Sequence, residues 1–419
     1  MNRENLLIYS SGRHHVNDTG FEVVERKGVG HPDTLCDTIA EKVSQAYSEY
    51  CLEHYGIILR HMVDKIALSG GATKVQFGGG EMQKPIRLYL NCRFTRTYQG
   101  VAIPYLEIVK EVVYKHLGEV LPLLDLDKWL EIVDNTHFSP GPGVVYESDG
   151  SSLNERQFFF DVPDKDLVVH HDNGLRSNDT STSVAYSPLS DTEQVVLQVE
   201  QMLNSSAFKN LHPYVGTDIK LMAKRVEKRM DITVCVPFIS IHTPNKEFYF
   251  EKIGVLADII KRFVVSIFSQ YSVTVSINTR DNPTKSDYYL TLIGSAIESG
   301  DEGVVGRGNR YNGVIPFTRH MSMEACCGKN PVYHVGKLYT AIGSLIADEI
   351  FQRIGLETYV YLTSQMGRDL ADPWHVCVEV CGHEVTRSES QAIEEVIECY
   401  LSQTQKTTQR IVSGELSLF

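Results

Sequence analysis

The sequence predicts an α/β (α+β) fold of three pseudo-repeated domains, built from mixed sheets with helices on one face. A pattern of one strand, one helix and two further strands recurs about three times along the 419 residues. Its strands alternate apolar and polar residues, and its helices repeat apolar residues three and four apart. Sheets covered on one face leave the other face free, and a partner subunit is the simplest candidate to cover it.

Each element is predicted from this periodicity together with helix start and stop signals. Pro32 opens a helix that ends at Gly56, and Ser190 with Glu193 forms a capping box that starts another. The other predicted helices are 104–118, 253–268, 335–355 and 389–403. The predicted strands are 21–27, 63–69, 86–93, 129–133, 230–238, 273–277, 290–293, 358–363 and 376–380.

The domain organisation is expected to follow four segments. Residues 1–135 form a first α/β unit with an HPD motif, 179–285 a central unit, and 286–419 a unit with a glycine-rich stretch, and we expect the units to interleave in space. Residues 136–178 contain SPGPG, ESDGSS and DVPDKD in place of regular periodicity. Irregular segments of this length are usually lids, binding loops or disorder, so a lid is predicted there.

Composition excludes several classes of protein. The formal charge of −13 argues against a general nucleic-acid or membrane-surface binder, since both need broad basic faces. No apolar run approaches the length of a membrane-spanning helix. The nine cysteines are scattered without CxxC spacing, which favours reduced thiols over disulfides or a zinc site. We therefore expect a cytoplasmic protein with no nucleic-acid or membrane partner.

The stretch 300–337, GDEGVVGRGNRYNGVIPFTRHMSMEACCGKNPVYHVGK, is locally positive and rich in glycine. Its cations are Arg307, Arg310, Arg319, Lys329 and Lys337. Glycine lets backbone N–H groups approach a ligand closely, and Arg and Lys neutralise phosphate oxygens, so the stretch suits a polyphosphate. Asp301 at its start offers a hard oxygen ligand to Mg²⁺. Taken alone, GDEGVVGRGNR is equally typical of a glycine-rich surface loop.

A second candidate region is the entrance to the helix that begins at Pro32. His31 and Asp33 lie there, beside free backbone N–H groups that favour anions. An imidazole and a carboxylate at this point are positioned to contact a phosphate and its metal; the alternative is that Asp33 caps the helix and His31 fills a turn. Asp179, in the turn before the capping box, is either a site carboxylate or a turn former.

Six blocks, in order and over nearly the whole chain, carry a resemblance to a known family. They are VERKGVGHPDTLCD, VDKIALSGG with FGGGE, NDTSTSVAYSPLSDTE, GDEGVVGRGNR, PFTRHMSMEA and GKNPVYHVGKLY. Together they resemble the archaeal-type S-adenosylmethionine synthetases (methionine adenosyltransferases). The resemblance implies a pseudo-threefold fold and a homodimer with active sites between subunits, with a tetramer as a further assembly.

The implied reaction converts ATP, L-methionine and water to S-adenosylmethionine, phosphate and diphosphate. The implied cofactor is Mg²⁺, with K⁺ as a further candidate. The resemblance implies metal binding by Asp33 and Asp301, and catalytic roles in neutralising the leaving triphosphate for His31, Arg307, Lys329 and Lys337. It implies contacts to ATP or the second substrate from Lys27, Asp64, Glu81, Asp179, Arg225, Arg229 and Arg310, with Asp64 and Glu81 also candidates for a monovalent-cation position.

The sequence departs from the family after Asp134, where HFSPGPGVVYESDG replaces a GxGSxDL motif, and Arg229 replaces a usual lysine. These changes leave the triphosphate residues in place and bear on the methionine side. Two alternatives therefore stay open: a related adenosyl transferase or tripolyphosphatase that uses another thioether, and a non-catalytic ATP-binding subunit.

Overall fold

The computed structural model describes residues 3–141, 143–167 and 175–418. Its helices are α1 Pro32–Tyr55, α2 Tyr105–Val120, α3 Leu126–Trp129, α4 Asp191–Asn204, α5 Ser206–Leu211, α6 Lys246–Ile267, α7 Val335–Ile354, α8 Arg387–Leu401 and α9 Thr404–Val412. None of the helices in these residues is long and apolar enough to cross a membrane.

The strands of the described residues vary in length from two to seven residues. They are β1 Leu6–Ser11, β2 Phe21–Lys27, β3 His61–Met62, β4 Ile66–Ser69, β5 Ala72–Gln76, β6 Gly79–Lys84, β7 Ile86–Leu90, β8 Arg93–Phe94, β9 Thr97–Tyr98, β10 Val101–Ala102, β11 Leu130–Asp134, β12 Asp161–Val162, β13 Thr182–Ser187, β14 Lys220–Val226, β15 Arg229–Cys235, β16 Phe238–Ile239, β17 Ser272–Ile277, β18 Leu290–Thr291, β19 Gly303–Val304, β20 Ile315–Pro316, β21 Thr358–Thr363 and β22 His375–Cys381.

Three larger sheets organise the protein. Their strand orders are β11-β7-β4-β19, β17-β15-β14-β2-β20 and β1-β22-β21-β13. In each sheet one edge pair is parallel and the remaining pairs are antiparallel. The predicted mixed sheets are therefore confirmed, and the common pattern of pairing relates the three units to one another.

Each larger sheet packs two long helices and encloses its own apolar core. The first sheet packs α1 and α2, the second α4 and α6, and the third α7 and α8. Residues such as Leu88, Ile232 and Val378 point into the three cores and are almost completely buried. Alternate residues on the same strands face outward, which is the half-buried pattern that the period-two alternation predicts.

The sheets draw strands from distant parts of the chain. β1 lies beside β22, and β2 lies between β14 and β20, so the first strands of the chain belong to the second and third sheets. β19, from the glycine-rich stretch, completes the first sheet by pairing with β4. Each unit in space is therefore assembled from more than one of the segments 1–135, 179–285 and 286–419.

Differences from the predicted elements occur at their ends. The strand predicted at 129–133 begins at Leu130, because Trp129 ends the short helix α3. The helix predicted at 253–268 begins earlier, at Lys246, where the Asn245 side chain accepts the N–H of Phe248. The last predicted helix ends at Leu401, and α9 follows it as an element that the sequence analysis missed.

Segment 136–178, predicted as a lid, is mostly irregular where it is described. It contains the short strand β12 and 3₁₀ turns at Glu155–Phe158 and Lys165–Leu167. Phe159 and Phe160 are buried, which fixes the part of the segment around them to the first unit. Residues 142 and 168–174 of the predicted lid lie outside the described residues.

Candidate active site

The first group of predicted site residues surrounds the start of α1. The imidazole Nδ1 of His31 accepts the backbone N–H of Asp33 at 3.2 Å, which caps the helix, and Pro32 occupies its first turn. Lys27, at the end of β2, donates from Nζ to Asp33 Oδ2 at 2.8 Å and to the carbonyl of Arg307 at 2.7 Å. Strand β2, helix α1 and the glycine-rich stretch thus meet at one point.

A row of three carboxylates along α1 holds the glycine-rich stretch by its backbone. Asp33 accepts the N–H of Val304 at 3.1 Å, Asp37 that of Gly306 at 2.8 Å, and Glu41 that of Gly328 at 2.9 Å. The acids recur every four residues, so they lie on one helix face and span about 12 Å along its axis. All three are buried, and each bond therefore fixes the stretch more firmly than a bond exposed to water.

A cleft of about 410 Å³ opens beside the start of α1. His31 and Asp301 line one part of it, together with Asp218, Lys220 and Tyr289. Asp218 is fixed by the backbone N–H of Ala296 at 2.9 Å and lies near the hydroxyls of Ser295 and Tyr289. The cleft therefore combines an imidazole, two carboxylates, an ammonium and an aromatic ring on one wall.

Burial changes the protonation of this wall. It lowers the pKa of His31 to about 4, with the Asp33 carboxylate opposing the shift, so the imidazole is neutral at pH 7. Because Nδ1 accepts a hydrogen bond, the proton of the neutral ring lies on Nε2. Burial also raises the pKa of Asp218 to about 7. The wall therefore offers a neutral N–H donor beside a carboxyl that holds a proton near neutral pH.

The second group of predicted residues lies at the start of α7. Lys329 is 4% exposed and pairs with Glu324. Asp64 lies beside it, because the preceding Val63 donates its N–H to the carbonyl of Gly328 at 2.8 Å. Asp64 precedes β4, which begins at Ile66, whereas the strand predicted at 63–69 included Asp64. Both Asp64 and Asp179 act electrostatically on the Lys329 ammonium.

Other predicted residues have different surroundings. Arg307 extends an exposed side chain, and Glu81 is exposed on the β5-β6 hairpin, hydrogen-bonded to Gln83. The Arg310 guanidinium donates to the carbonyls of Gly306 and Gly308 at 2.7 and 2.8 Å and so braces the loop.

Three predicted cations do not line the cleft. Lys337 is fully buried against Glu41 at 2.7 Å. Arg225 is equally enclosed, beside Glu22 and the carbonyls of Val16 and Thr19. Arg229 is exposed and paired with Asp231. The structure does not bring these three side chains to the cleft.

Five residues of the site were not predicted from the sequence: Asp37, Glu41, Asp218, Lys220 and Tyr289. The two acids of α1 had a visible signal, because carboxylates at intervals of four residues on an otherwise apolar helix face must find partners when buried. The residues of the cleft wall had no comparable signal. Their positions depend on how the central unit packs against the start of α1.

The donors present fit Mg²⁺ of the kind held jointly by protein and substrate. No group of three or more His, Cys, Asp or Glu side chains among the described residues is arranged to hold a metal alone. Asp301 supplies carboxylate oxygens at the cleft, whereas Asp33, at the same helix start, is buried with its carboxylate on Lys27 and the N–H of Val304. Mg²⁺ commonly takes one or two carboxylates and completes its shell with phosphate oxygens and water.

The sequence matches a known protein family over most of its length. Residues 4–143 and 162–415 match the family model for S-adenosylmethionine synthetase (AdoMet synthetase). The unmatched residues 144–161 fall within segment 136–178, where the sequence departs from the resemblance.

Relatives of similar length support the match. The chain is 38% identical to a probable S-adenosylmethionine synthase of Aquifex aeolicus (strain VF5), over 94% of this chain and 93% of the relative. It is 35% identical to the S-adenosylmethionine synthases of Caldivirga maquilingensis and Pyrococcus furiosus, over 99% of each chain. An unusual S-adenosylmethionine synthetase from Campylobacter jejuni shares the fold, with a TM-score of 0.57 at 12% identity over 94% of this chain and 89% of that one. On this evidence the chain belongs to the S-adenosylmethionine synthetase family.

Proposed function

We propose that this chain, a methionine adenosyltransferase by family, makes S-adenosylmethionine from ATP and L-methionine at the cleft beside the start of α1. The observation that carries the assignment to this cleft is the convergence there of His31, Asp301 and the glycine-rich stretch. The thioether sulfur attacks C5′ of the ribose, and the bond from C5′ to the triphosphate oxygen breaks. Water then cleaves the triphosphate to phosphate and diphosphate.

The protein needs no nucleophile of its own for this reaction. Its task is to align sulfur, C5′ and leaving oxygen and to neutralise the charge that develops on the triphosphate. The neutral His31 ring donates from Nε2 toward the leaving group. Lys27 cannot move far, because Asp33 and the Arg307 carbonyl hold its ammonium at 2.8 and 2.7 Å, so its charge is preorganised.

Asp33 and Asp301 are the residues we propose to hold Mg²⁺. When bound, the ion supplies positive charge that stabilises the triphosphate as it leaves. The carboxylates orient the ion through their own fixed contacts, since Asp301 accepts the N–H of Glu302 at 2.9 Å and Asp33 accepts that of Val304.

We propose that the working form is a homodimer. One group of site residues lies at the start of α1 and the other at the start of α7, and Glu81 projects on an exposed hairpin. In a dimer, the α1 group of one copy faces the α7 group and the hairpin of the other, so each copy supplies part of each site. The outer face of the second sheet supports this, because Phe21, Met222 and Val226 expose 52%, 39% and 41% of their surface on neighbouring strands.

One assay tests the proposed reaction. The protein is incubated with ATP and Mg²⁺, with and without L-methionine, and S-adenosylmethionine, phosphate and diphosphate are followed. Formation of all three only with methionine is expected. Cleavage of tripolyphosphate without any adenosyl product, or tight ATP binding without turnover, would overturn it.

A further inference from the structure

Two buried lysines at the start of α7 pair with two glutamates in very different ways. Lys337 and Glu41 are both enclosed, with side chains 0% and 2% exposed, and Glu41 is also fixed by the N–H of Gly328. Lys329 is enclosed as well, at 5%, but its partner Glu324 leaves 29% of its side chain exposed. The first pair belongs to the packed interior, whereas the second pair has one member open to solvent.

The Glu324 carboxylate lies where an anion is favoured for two reasons. It contacts the Lys329 ammonium, and it lies against the first turn of a 20-residue helix, whose N-terminal end is positive. Gly336 makes the space: a Cβ there would lie 2.5 Å from Glu324 Cγ, 2.8 Å from its Oε1 and 2.9 Å from Lys329 Nζ. A side chain at position 336 would therefore separate the carboxylate from the ammonium.

Few other contacts within the described residues hold Glu324 in place. It lies between regular elements, in residues 320–326, and its neighbour Met323 is 82% exposed. Its backbone N–H donates to Ser322 Oγ at 3.2 Å, a bond within the same irregular segment. Rotation of one side chain thus removes the carboxylate from Lys329 without disturbing a helix or a strand.

We infer that Glu324 is a positioning residue that acts through Lys329: its carboxylate occupies the place of a polyphosphate oxygen until substrate displaces it. The inference rests on the proposed function and on the role that the family resemblance implies for Lys329, which is to neutralise the leaving triphosphate. Glu324 is the carboxylate that forms an ion pair with the buried Lys329 ammonium, so it compensates that charge while the site is free. The incoming phosphate oxygen takes over that contact, and the carboxylate moves to solvent.

On this inference, loss of the Glu324 charge increases the affinity for polyphosphate. Displacing Glu324 weakens polyphosphate binding, so removing its charge should strengthen it. Glu324→Gln keeps the size of the side chain, and we expect it to bind inorganic tripolyphosphate in Mg²⁺ buffer about tenfold more tightly by calorimetry, the size of a typical coupling between sites. KM for ATP should fall by a similar factor, while KM for L-methionine stays within twofold of the parent value.

Three controls make the test specific. Glu384→Gln removes an exposed surface charge elsewhere and should leave the tripolyphosphate Kd unchanged. Lys329→Met should abolish the effect, so that Glu324→Gln adds nothing in that background. Glu324→Asp withdraws the carboxylate by one methylene and should give an intermediate Kd, which keeps the test open if the glutamine variant fails to fold.

Weaker or unchanged tripolyphosphate binding by Glu324→Gln would overturn the inference. A variant that binds methionine more tightly but tripolyphosphate no better would also overturn it. These results are separable from failure of the proposed function. A parent protein that makes no S-adenosylmethionine overturns the function, whereas the Kd comparison still reports what Glu324 does to Lys329.

Discussion

The carbonyl oxygen of Pro32 lies 2.1 Å from the position that a Cβ atom on Gly303 would occupy. The glycine-rich stretch therefore touches the backbone of α1 directly, and no larger residue fits between them. Gly303→Ala should push β19 away from the helix, misplace Asp301 and lower turnover about 100-fold, because small displacements of positioned groups cost that much. Gly254→Ala, on the exposed side of α6 where nothing lies within 4 Å of the new Cβ, is the matched control and should retain the parent rate in steady-state assays.

The two proposed metal ligands should differ in their effect on stability. Asp301 is exposed, so Asp301→Asn should lower single-turnover rates about 100-fold and leave unfolding unchanged. Asp33 is 1% exposed and neutralises Lys27, so Asp33→Asn should also lower the free energy of unfolding by about 3 kcal/mol. Rates at saturating Mg²⁺ and urea denaturation measure the two effects; near-normal rates in both variants would remove the metal assignment.

Lys329 should set an alkaline limit to activity. Burial lowers the pKa of its ammonium to about 8, against the favourable effect of Asp64. The ammonium is charged below that pH and loses its charge above it, so kcat/KM for ATP should fall as pH rises through 8. Lys329→Arg keeps its charge over the same range and should remove this limb from profiles measured between about pH 7 and 9.5. A limb at the same pH in the arginine variant would assign it to another group.

Arg307 and Arg310 should have separable roles. The Arg307 side chain is exposed, so Arg307→Ala should slow tripolyphosphate hydrolysis at least as much as adenosyl transfer, with little change in stability. Arg310 braces two carbonyls of the loop, and Arg310→Ala should lower the free energy of unfolding by about 2 kcal/mol. Rapid-quench measurement of both chemical steps, together with denaturation curves, compares the two variants; equal destabilisation would contradict the distinction.

The outer face of the second sheet should carry the contact between subunits. Met222→Glu places a charge at an apolar position that is 39% exposed on β14 and should shift the protein from dimer toward monomer in sedimentation experiments. Val265→Glu is the control, since this residue is 38% exposed on α6 at the opposite, helical side. An active parent monomer at micromolar concentration would refute the dimer.

Local patterns in the sequence predicted the elements well where one strong signal was present. The helix from Pro32 to its C-cap Gly56 and the capping box at Ser190 are both confirmed. The resemblance of six blocks predicted the family, and the comparisons confirm it. Prediction was weaker at element ends such as Trp129, where a short helix and a strand compete for the same residues.

The candidate site was harder to predict, because its geometry depends on distant contacts. His31 and Asp301 both line the cleft, yet Asp218 and Lys220 join them only through the packing of the central unit. The resemblance implied roles at the substrate site for Lys337 and Arg225, and the structure buries both against glutamates. The sequence shows that a Lys or Arg is present, but the group that this side chain pairs with depends on the tertiary fold.

The interleaving of the sheets has a consequence during synthesis. Strand β1 ends at Ser11, but its parallel neighbour β22 ends at Cys381, nearly the whole chain later. At ribosomal rates of about 5 to 20 residues per second, β1 emerges roughly 20 to 70 s before that neighbour exists. The amino terminus therefore cannot complete its sheet as it emerges, and until then it presents an unpaired apolar edge to other nascent chains.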